Sequence, residues 1–244
     1  MVHIKKTEMP TSWPVPRKGK RKRFVAVPSH STSKGISLLF LLRDVLKLVK
    51  TRKEARYMTL NGMVRVNNIL RKDENFPVQV FDTLNLSIQN VGNKEQGIGN
   101  RNYRLEIVNR KFSLKDVSEK EAGEKIVKII GKKILDGAKV QMNLDDGQNV
   151  LSKEKFSVGD SVVLRTVVGS RKSEVGSKTG SVSVTVERIL PLKEGAKVEI
   201  ILGKHAGEKG ELVGFEDLVR GRSYKIKLKD KIVSLPFKTV LVIG

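Results

Sequence analysis

The sequence contains no cysteine, and its apolar runs are short. The lack of cysteine excludes disulfide frameworks, thiol nucleophiles and thiolate-bound zinc or iron–sulfur clusters. The longest apolar stretch, Ile36–Leu42, is interrupted by Ser37 and closed by Arg43, far short of the roughly 20 residues that cross a bilayer. The N-terminus is rich in Pro, Lys and Arg and lacks the apolar core of a signal peptide. These features predict a cytoplasmic protein without a membrane segment.

Motifs of catalysis and cofactor binding are also missing from the sequence. Gly203–His205 lacks the Ser or Thr that closes a phosphate-binding loop, and Gly97–Gly99 lacks the third glycine of a dinucleotide fingerprint. The histidines at positions 3, 30 and 205 are too scattered for a metal site. Asp145-Asp146 lies in a predicted turn, and turn formation explains this pair better than acid–base chemistry does. We therefore predict no enzymatic activity, no metal or cofactor and no small-molecule substrate.

Acidic residues are scarce in the N-terminal third, where positive charge is concentrated. The 244 residues carry 48 Lys and Arg against 26 Asp and Glu, and residues 1–72 hold 18 of these cations with only three acids. Arg17–Arg23 alone places six cations in seven residues, and prolines surround this run. Repulsion and proline both oppose a helix here, so we predict that residues 1–35 are extended and mobile until phosphates order them. Such an excess indicates a polyanionic partner, and a nucleic acid fits better than an anionic membrane.

Two helices are predicted after this segment. Residues 36–50 place apolar side chains at helical spacing, and Arg43, Lys47 and Lys50 follow as i, i+4 and i+7 along another face. Thr51–Glu54 has the pattern of a capping box, which marks the start of the second helix. Like charges at i, i+4 cost stability, so the basic ridge points to nucleic-acid contact more than to a solvated face.

The second helix is predicted to end at Asn61-Gly62 and to lead into a strand. Its inward side chains are expected to be Ala55, Met58 and Leu60. Three cations are expected on its outer face: Arg52, Lys53 and Arg56. In the following strand, apolar and polar residues alternate, and Arg65 is expected on its exposed side.

Beyond residue 80 the pattern is that of short β-strands separated by turns. Val140–Leu144 and the strand that starts at Asn149 read as a hairpin, with Asp146-Gly147 favouring a type I′ turn. One short helix is predicted over residues 118–130, and Gly169–Gly180 reads as a long surface loop. The last strands, with the glycine-spaced loop Gly203–Gly210 between two of them, suit an SH3-like barrel of about five strands.

The predicted fold class is α+β and mostly β. We expect a basic extended segment over residues 1–35, a helical RNA-binding module over 36–83, a β-rich central domain over 84–190 and an SH3-like barrel over 191–244.

Several segments, in this order, resemble the archaeal and eukaryotic type of small-subunit ribosomal protein four. The segments are Trp13–Lys20, Leu41–Lys47 with Gly62–Asn67, Val140–Asn149, Gly203–Gly210 and Val240–Gly244. Gly203–Gly210 is similar to the KOW motif of that family, and Asn68 replaces its usual Gly. The end at Gly244, without a Lys-rich extension, favours the archaeal form. The resemblance implies a structural constituent of the small ribosomal subunit that binds rRNA and neighbouring ribosomal proteins and supports assembly and translation.

The candidate RNA-binding residues lie in three groups. They are Arg17, Lys18, Lys20, Arg21, Lys22 and Arg23 in the N-terminal run; Arg43, Lys47, Lys50, Arg52, Lys53, Arg56 and Arg65 in the module; and Lys204, His205 and Lys209 in the glycine-spaced loop. For His205, base or phosphate contact and an inconsequential exposed position are both open. Two other functions remain as alternatives: an RNA-modifying enzyme with an N-terminal RNA-binding module, and a KOW-type transcription factor.

Overall fold

The computed structural model consists largely of antiparallel β-sheet, which confirms the predicted fold class. The chain divides into two compact units, Met1–Ile107 with Lys111–Gly123, and Val108–Arg110 with Glu124–Gly244. Among the described residues no helix is both long and apolar enough to cross a membrane. The described residues are 3–17, 23–88, 99–119, 121–136, 139–152, 154–169, 181–218, 221–229 and 231–244.

In the first unit, the part of the chain that the structure describes forms two short sheets, one larger sheet and a small helical part. Its elements in chain order are β1 (His3–Lys5), β2 (Phe24–Ala26), β3 (Gly35–Ser37), α1 (Leu38–Phe40) with the π-helical turn Leu41–Val45, α2 (Arg52–Leu60), β4 (Val64–Val66), β5 (Ile69–Leu70), β6 (Pro77–Gln79), β7 (Thr83–Ile88), β8 (Gly99–Val108) and β9 (Lys111–Asp116). The pairs β1–β2 and β3–β6 are antiparallel, and the larger sheet has the order β5-β4-β7-β8-β9.

The described parts of the N-terminal segment, residues 3–17 and 23–35, pack against the first unit through contacts within the protein, whereas the sequence predicts a segment that phosphates order. Strand β1 pairs with β2, and the Lys6 amide donates to the Arg23 carbonyl at 3.1 Å. Trp13 is fully buried, its ring centroid lies 5.3 Å from that of Phe40, and its Nε1 donates to the Thr32 carbonyl at 3.3 Å. The charge pattern dominated the prediction, whereas burial of one large aromatic ring orders the chain on both sides of the basic run.

The first predicted helix is much shorter than residues 36–50. The Ser37 hydroxyl accepts from the Phe40 amide, and the helical residues end with a π-type bond from the Leu46 amide to the Leu41 carbonyl at 2.8 Å. Lys47 then adopts a φ of +56°, which a continuing right-handed helix cannot contain. The prediction of one helical ridge formed by Arg43, Lys47 and Lys50 is therefore wrong. Residues 38–42 are all buried, so the segment is a core turn with no solvent face.

Helix α2 begins and ends where the sequence predicts. The Thr51 hydroxyl accepts from the Glu54 amide at 3.3 Å, and Gly62 has a φ of +74° just beyond the C-terminal end. Ala55 is fully buried as predicted, but Leu60 is 53% exposed and Thr59 occupies the buried position in its place. The apolar residue at the end of the helix was wrongly assigned inward, because a nine-residue helix buries only a narrow stripe.

Strand β4 belongs to a sheet that crosses the predicted boundary at residue 84. Its partners are β5 and β7, with Val64 opposite Leu86 and Val66 opposite Leu84. Asn67 and Asn68 both have positive φ, 53° and 64°, so Asn68 supports the same tight turn that glycine would. Strands up to β9 thus complete the sheet of the first unit, which extends to Gly123.

The described residues of the second unit form two five-stranded antiparallel sheets. The first has the order β12-β11-β10-β13-β14 and the second the order β18-β17-β16-β15-β19. The strands are β10 (Glu124–Leu135), β11 (Lys139–Leu144), β12 (Asn149–Ser152), β13 (Ser161–Gly169), β14 (Ser181–Leu190), β15 (Lys197–Ile200), β16 (Lys209–Leu218), β17 (Gly221–Lys227), β18 (Ile232–Pro236) and β19 (Val240–Val242). Residues 170–180, which make up nearly all of the predicted long loop, lie outside the described residues.

Strand β10 replaces the helix that was predicted over residues 118–130. Among the described residues of this span, Glu121–Gly123 forms a single 3₁₀ turn, and the strand starts at the next residue. It pairs with β11 and β13, and its Val127 and Ile129 enter the core. The prediction followed a capping pattern at Ser118, but pairing on both edges of a β-branched segment outweighs that local signal.

The predicted hairpin between β11 and β12 is present, but its turn is not of type I′. Asn143 pairs with Asn149, and only Gly147 has a positive φ, of 87°. The Gly147 amide donates to the Leu144 carbonyl at 3.1 Å, which gives a type I turn followed by a left-handed glycine. Asp146 forms a buried ion pair with Lys125 at 2.8 Å, so this carboxylate stabilises the fold.

The C-terminal sheet carries the predicted glycine-spaced loop between β15 and β16. Gly203 and Gly207 have positive φ values of 96° and 89°, which favour glycine. Gly210 is required for another reason, since a Cβ atom there would lie 2.5 Å from the Lys227 carbonyl oxygen. Gly210 thus permits close approach of the β17 backbone within the sheet. The core behind the loop includes Val198, Ile200, Ile226 and Val240.

Buried polar contacts join the two sheets of the second unit. Lys128 Nζ donates to the Val240 carbonyl at 2.7 Å and to the Phe237 carbonyl, and it lies 3.7 Å from the centre of the Phe237 ring. The Ser161 hydroxyl accepts from the Val242 amide at 3.0 Å. Burial lowers the pKa of Lys128 to about 8, while the nearby Asp145 acts in the opposite direction.

We expect Trp13→Ala to lower the free energy of unfolding of the first unit by about 3–5 kcal/mol, because it empties a fully buried aromatic site. Urea denaturation followed by circular dichroism measures this change. The control Ile134→Ala truncates a side chain that is 72% exposed and should change stability by less than about 0.5 kcal/mol. Equal stabilities of the Trp13 variant and the wild type would contradict the packed N-terminal segment.

The pKa of Lys128 predicts a pH dependence for the second unit. Because its folded pKa lies below its ordinary value of 10.5, unfolding takes up a proton between about pH 8 and pH 10, and stability rises with pH there. Above pH 10 the pKa of Tyr224, raised by burial, opposes this trend. Denaturation at pH 8, 9 and 10 should show the rise in the wild type and a flatter profile in Lys128→Met. Parallel profiles would refute the assignment to Lys128.

Candidate nucleic-acid interface

The outer face of α2 carries exposed cations that are held by a firmly anchored helix. Lys53 and Arg56 are exposed, three residues apart, and neither forms an ion pair with any residue that the structure describes. The buried Ala55 and Thr59 fix the opposite face. Both cations therefore point their charge at solvent from a fixed backbone, as a phosphate-binding surface requires.

Arg52 differs from its neighbours because its guanidinium is already occupied. Its Nε and Nη2 donate to one carboxylate oxygen of Glu74 at 3.0 and 2.7 Å. The Glu74 side chain is only 8% exposed. Arg52 thus holds the N-terminal end of α2 to the segment before β6. The sequence predicts that Arg52 binds phosphate, but in the structure its guanidinium binds Glu74.

The residues of the incorrectly predicted ridge have separate environments. Arg43 binds the adjacent Asp44, with 2.7 Å between Nη2 and Oδ2. Lys47 and Lys50 are exposed in the connection that leads to α2. The Lys50 backbone amide donates to Glu54 at 2.7 Å, and this bond together with the Thr51 hydroxyl lowers the pKa of the Glu54 carboxyl. The acid nearest to these cations therefore serves to cap the helix.

Arg65 projects from the outer face of β4, as predicted. The strand buries Val64 and Val66 on one side and exposes Arg65 on the other. Its neighbours in register are Leu70 on β5 and Asn85 on β7. The sheet thus presents a cation close in sequence to the end of α2.

Arg71 is a further cation of the first unit, and its side chain packs on an aromatic ring. Its guanidinium carbon lies 4.2 Å from the centre of the Phe76 ring. Its Nε is buried without a hydrogen-bond partner, and burial lowers its pKa. In the sequence, the basic pair Arg71-Lys72 directly after β5 indicates a possible phosphate contact. It does not show that the Arg71 guanidinium packs on the ring of Phe76.

The N-terminal basic run is held at both ends within the first unit. Arg17 donates from Nη2 to the Met9 carbonyl, and the Arg23 carbonyl accepts from Lys6. The guanidinium of Arg23 lies 5.9 Å from the centre of the exposed Phe24 ring. Both described residues of the run, Arg17 and Arg23, thus contact the first unit. The other predicted residues of this run, Lys18, Lys20, Arg21 and Lys22, lie outside the described residues.

In the second unit, the glycine-spaced loop holds part of its charge internally. His205 Nδ1 lies 3.2 Å from both carboxylate oxygens of Glu208, and its side chain is only 12% exposed. Lys209 lies 3.8 Å from Glu199, whereas Lys204 is exposed. His205 thus stabilises the loop, and Lys204 is exposed without an ion-pair partner among the described residues.

Other site types find little support in the described residues. No group of three or more His, Asp or Glu that could hold a metal ion occurs among them. A groove of about 350 Å³ separates the edge strands β12 and β14 and is lined in part by Leu151, Val184 and Val186. Of the described residues that line this groove, Glu154 is the one with a charged side chain, so the groove holds no cluster of titratable groups.

Comparisons with known proteins point to one family. The model of the ribosomal family S4e matches residues 100–169. Small ribosomal subunit protein eS4 of Methanopyrus kandleri is 30% identical over 223 residues, which cover 86% of this chain and 78% of that protein. The eS4 protein of Methanocella arvoryzae is 31% identical, with 86% of this chain and 79% of that protein covered. The crystal structure of 30S ribosomal protein S4e from Thermoplasma acidophilum shares the fold, with a TM-score of 0.63 and 22% identity over 86% of this chain and 95% of that one.

The contact between Arg52 and Glu74 predicts a stability effect that separates Arg52 from its neighbours. Arg52→Gln should lower the free energy of unfolding by about 1–3 kcal/mol, because a buried carboxylate is then left without its charged partner. Lys53→Gln, at the next position, should change it by less than about 0.5 kcal/mol. Urea denaturation of both variants measures the difference, and equal values would show that the Glu74 contact contributes nothing.

Proposed function

The chain belongs to the ribosomal S4e family, and from this premise we propose that the cations around α2 bind small-subunit rRNA through its phosphates. Members of this family are structural proteins of the small ribosomal subunit and not enzymes, and this chain is such a constituent. The family predicted from the sequence is confirmed. The comparisons do not support the two alternatives, an RNA-modifying enzyme and a KOW-type transcription factor.

The observation that carries the proposal is the set of exposed cations without a described ion-pair partner on and next to an anchored helix. Lys53 and Arg56 lie on α2, and Arg65 lies on β4. Phosphate contacts gain affinity by releasing condensed counterions, and a cation that already has a carboxylate partner releases fewer. Arg52 and Arg43, with their partners Glu74 and Asp44, therefore contribute mainly to the position of the surface.

Recognition at this surface should depend more on shape than on base identity. The major groove of A-form RNA is deep and narrow, so side chains on a rigid helix reach phosphates and riboses more readily than base edges. The exposed Lys47 and Lys50 extend the surface towards the N-terminal end of α2. The basic run that joins β1 and β2 is a further proposed contact, with Arg17 and Arg23 at its two ends.

The second unit offers the second proposed contact, through its glycine-spaced loop. Lys204 and Lys209 are exposed there, while the ring of His205 faces Glu208. We propose that this KOW-like loop contacts rRNA through Lys204 and Lys209, and that neighbouring small-subunit proteins are also partners. The corresponding location is the ribosome in the cytoplasm.

The proposed surface is tested by the salt dependence of rRNA binding. In Lys53→Gln/Arg56→Gln/Arg65→Gln the slope of log K against log salt should be shallower than in the wild type by about 2–3, because each phosphate contact supplies about 0.7–0.9 of that slope. Filter binding of small-subunit rRNA over a range of salt concentrations measures this slope.

A matched control changes the same amount of charge in the second unit. Lys193, Lys197 and Lys229 are exposed there, and their replacement by Gln should leave the slope within about one unit of the wild type. If both triple variants reduced the slope equally, the effect would come from net charge, and the proposed surface would be wrong.

A further inference from the structure

Two large apolar side chains lie exposed among the cations of α2, and the phosphate-binding function does not require them. Tyr57 is 55% exposed and Leu60 is 53% exposed. Single exposed apolar residues are common on soluble proteins, but adjacent ones within a functional surface indicate a contact.

The helical spacing brings these two side chains together with the two exposed cations. Lys53 and Tyr57 are four residues apart, as are Arg56 and Leu60, while Tyr57 and Leu60 are three apart. Side chains at these spacings are direct neighbours on a helix surface. The outer face of α2 is therefore one cluster in which an aromatic and an aliphatic side chain alternate with two positive charges.

Leu70 extends the apolar part of this cluster beyond the helix. It is 42% exposed on β5, and its Cδ1 lies 3.2 Å from the position that a Cβ atom of Gly62 would occupy. The third exposed apolar residue thus packs against the turn that ends α2. Glu54, the acid of this helix, accepts from the Lys50 amide, and its own amide donates to the Thr51 hydroxyl at the N-terminal end.

This arrangement favours an unpaired nucleotide over a protein partner. A protein that covered Tyr57 and Leu60 would bury Lys53 and Arg56 with them and would have to supply carboxylates for both. A nucleotide carries a flat π-face and a phosphate at short distance, so it satisfies the aromatic ring and a neighbouring cation together. Charge complementarity therefore selects RNA, and the exposed aromatic ring selects a base that is not stacked in a duplex.

We propose that Tyr57 is a stacking site for an unpaired RNA base, with Lys53 and Arg56 binding the adjacent phosphates. The inference rests on the proposed rRNA-binding function and deepens it, because it specifies a single-stranded or looped segment at this surface. Leu60, three residues from Tyr57 on the same helix face, contacts the ribose or base edge.

The experiment compares two fluorescein-labelled probes, a 12-nucleotide oligouridine and a 12-base-pair RNA duplex, by fluorescence anisotropy with the full chain. Tyr57→Ala should weaken binding of the single strand about tenfold and change binding of the duplex less than about twofold, because only the single strand offers free base faces. The fold should be retained, because position 57 is exposed and Ala has a higher helix propensity than Tyr. Circular dichroism checks this.

Two further variants separate stacking from simple apolar contact. Tyr57→Phe keeps the ring and should bind the single strand within about twofold of the wild type, whereas Tyr57→Leu should weaken binding as Tyr57→Ala does. Ile134→Ala, a truncation of an exposed side chain in the second unit, should bind as the wild type does. Ultraviolet irradiation of an oligouridine that contains 5-iodouridine should label the peptide that includes Tyr57.

The outcomes distinguish this site from the proposed function. If Tyr57→Ala bound the single strand as tightly as the wild type, or if Tyr57→Leu retained full affinity, the stacking site would be overturned while the salt dependence still supported the phosphate contacts. If the wild type bound neither probe, both proposals would fail.

Discussion

Repulsion among like charges is the constraint on which the rest of the first unit depends. Eighteen cations and three acids share residues 1–72, so the chain must be held together by contacts that do not neutralise the surface. Burial of Trp13 against Phe40 and the Thr51 cap of α2 supply such contacts. Each one fixes a segment from inside and leaves neighbouring cations exposed to solvent. A rigid cationic surface is the result, suited to a partner that brings its own negative charge.

The second unit reduces repulsion among its cations by burying two of them as hydrogen-bond donors. Lys125 and Lys128 are buried and used as internal donors, one to Asp146 and one to backbone carbonyls of the C-terminal sheet. Burial of an ammonium group is costly, which is why the pKa of Lys128 is low and why its hydrogen bonds must be satisfied. The two sheets are thereby coupled through a cation, whereas in the first unit the cations of the proposed interface remain outside.

The described structure sorts the predicted RNA-binding residues into those that position the surface and those that form it. Arg43, Arg52 and His205 have acidic partners within the fold, while Lys53 and Arg56 have none among the described residues. Residue type could not make this distinction, because the acids concerned lie at very different distances along the chain. Asp44 is adjacent to Arg43 in sequence, but Glu74 is 22 residues from Arg52.

The sequence by itself determined the family, the mostly β fold class and the boundaries of α2, because caps, glycines and periodic apolar residues act locally. The Thr51 cap and the Gly62 end are of this kind, and so are the glycines of the loop between β15 and β16. Tertiary structure alone decided that Trp13 packs the N-terminal segment, that residues 124–135 form a strand and that the helix after Ser37 stops within about two turns. In each case a long-range contact or strand pairing outweighed a local preference, and such partners are not visible in a window of the sequence.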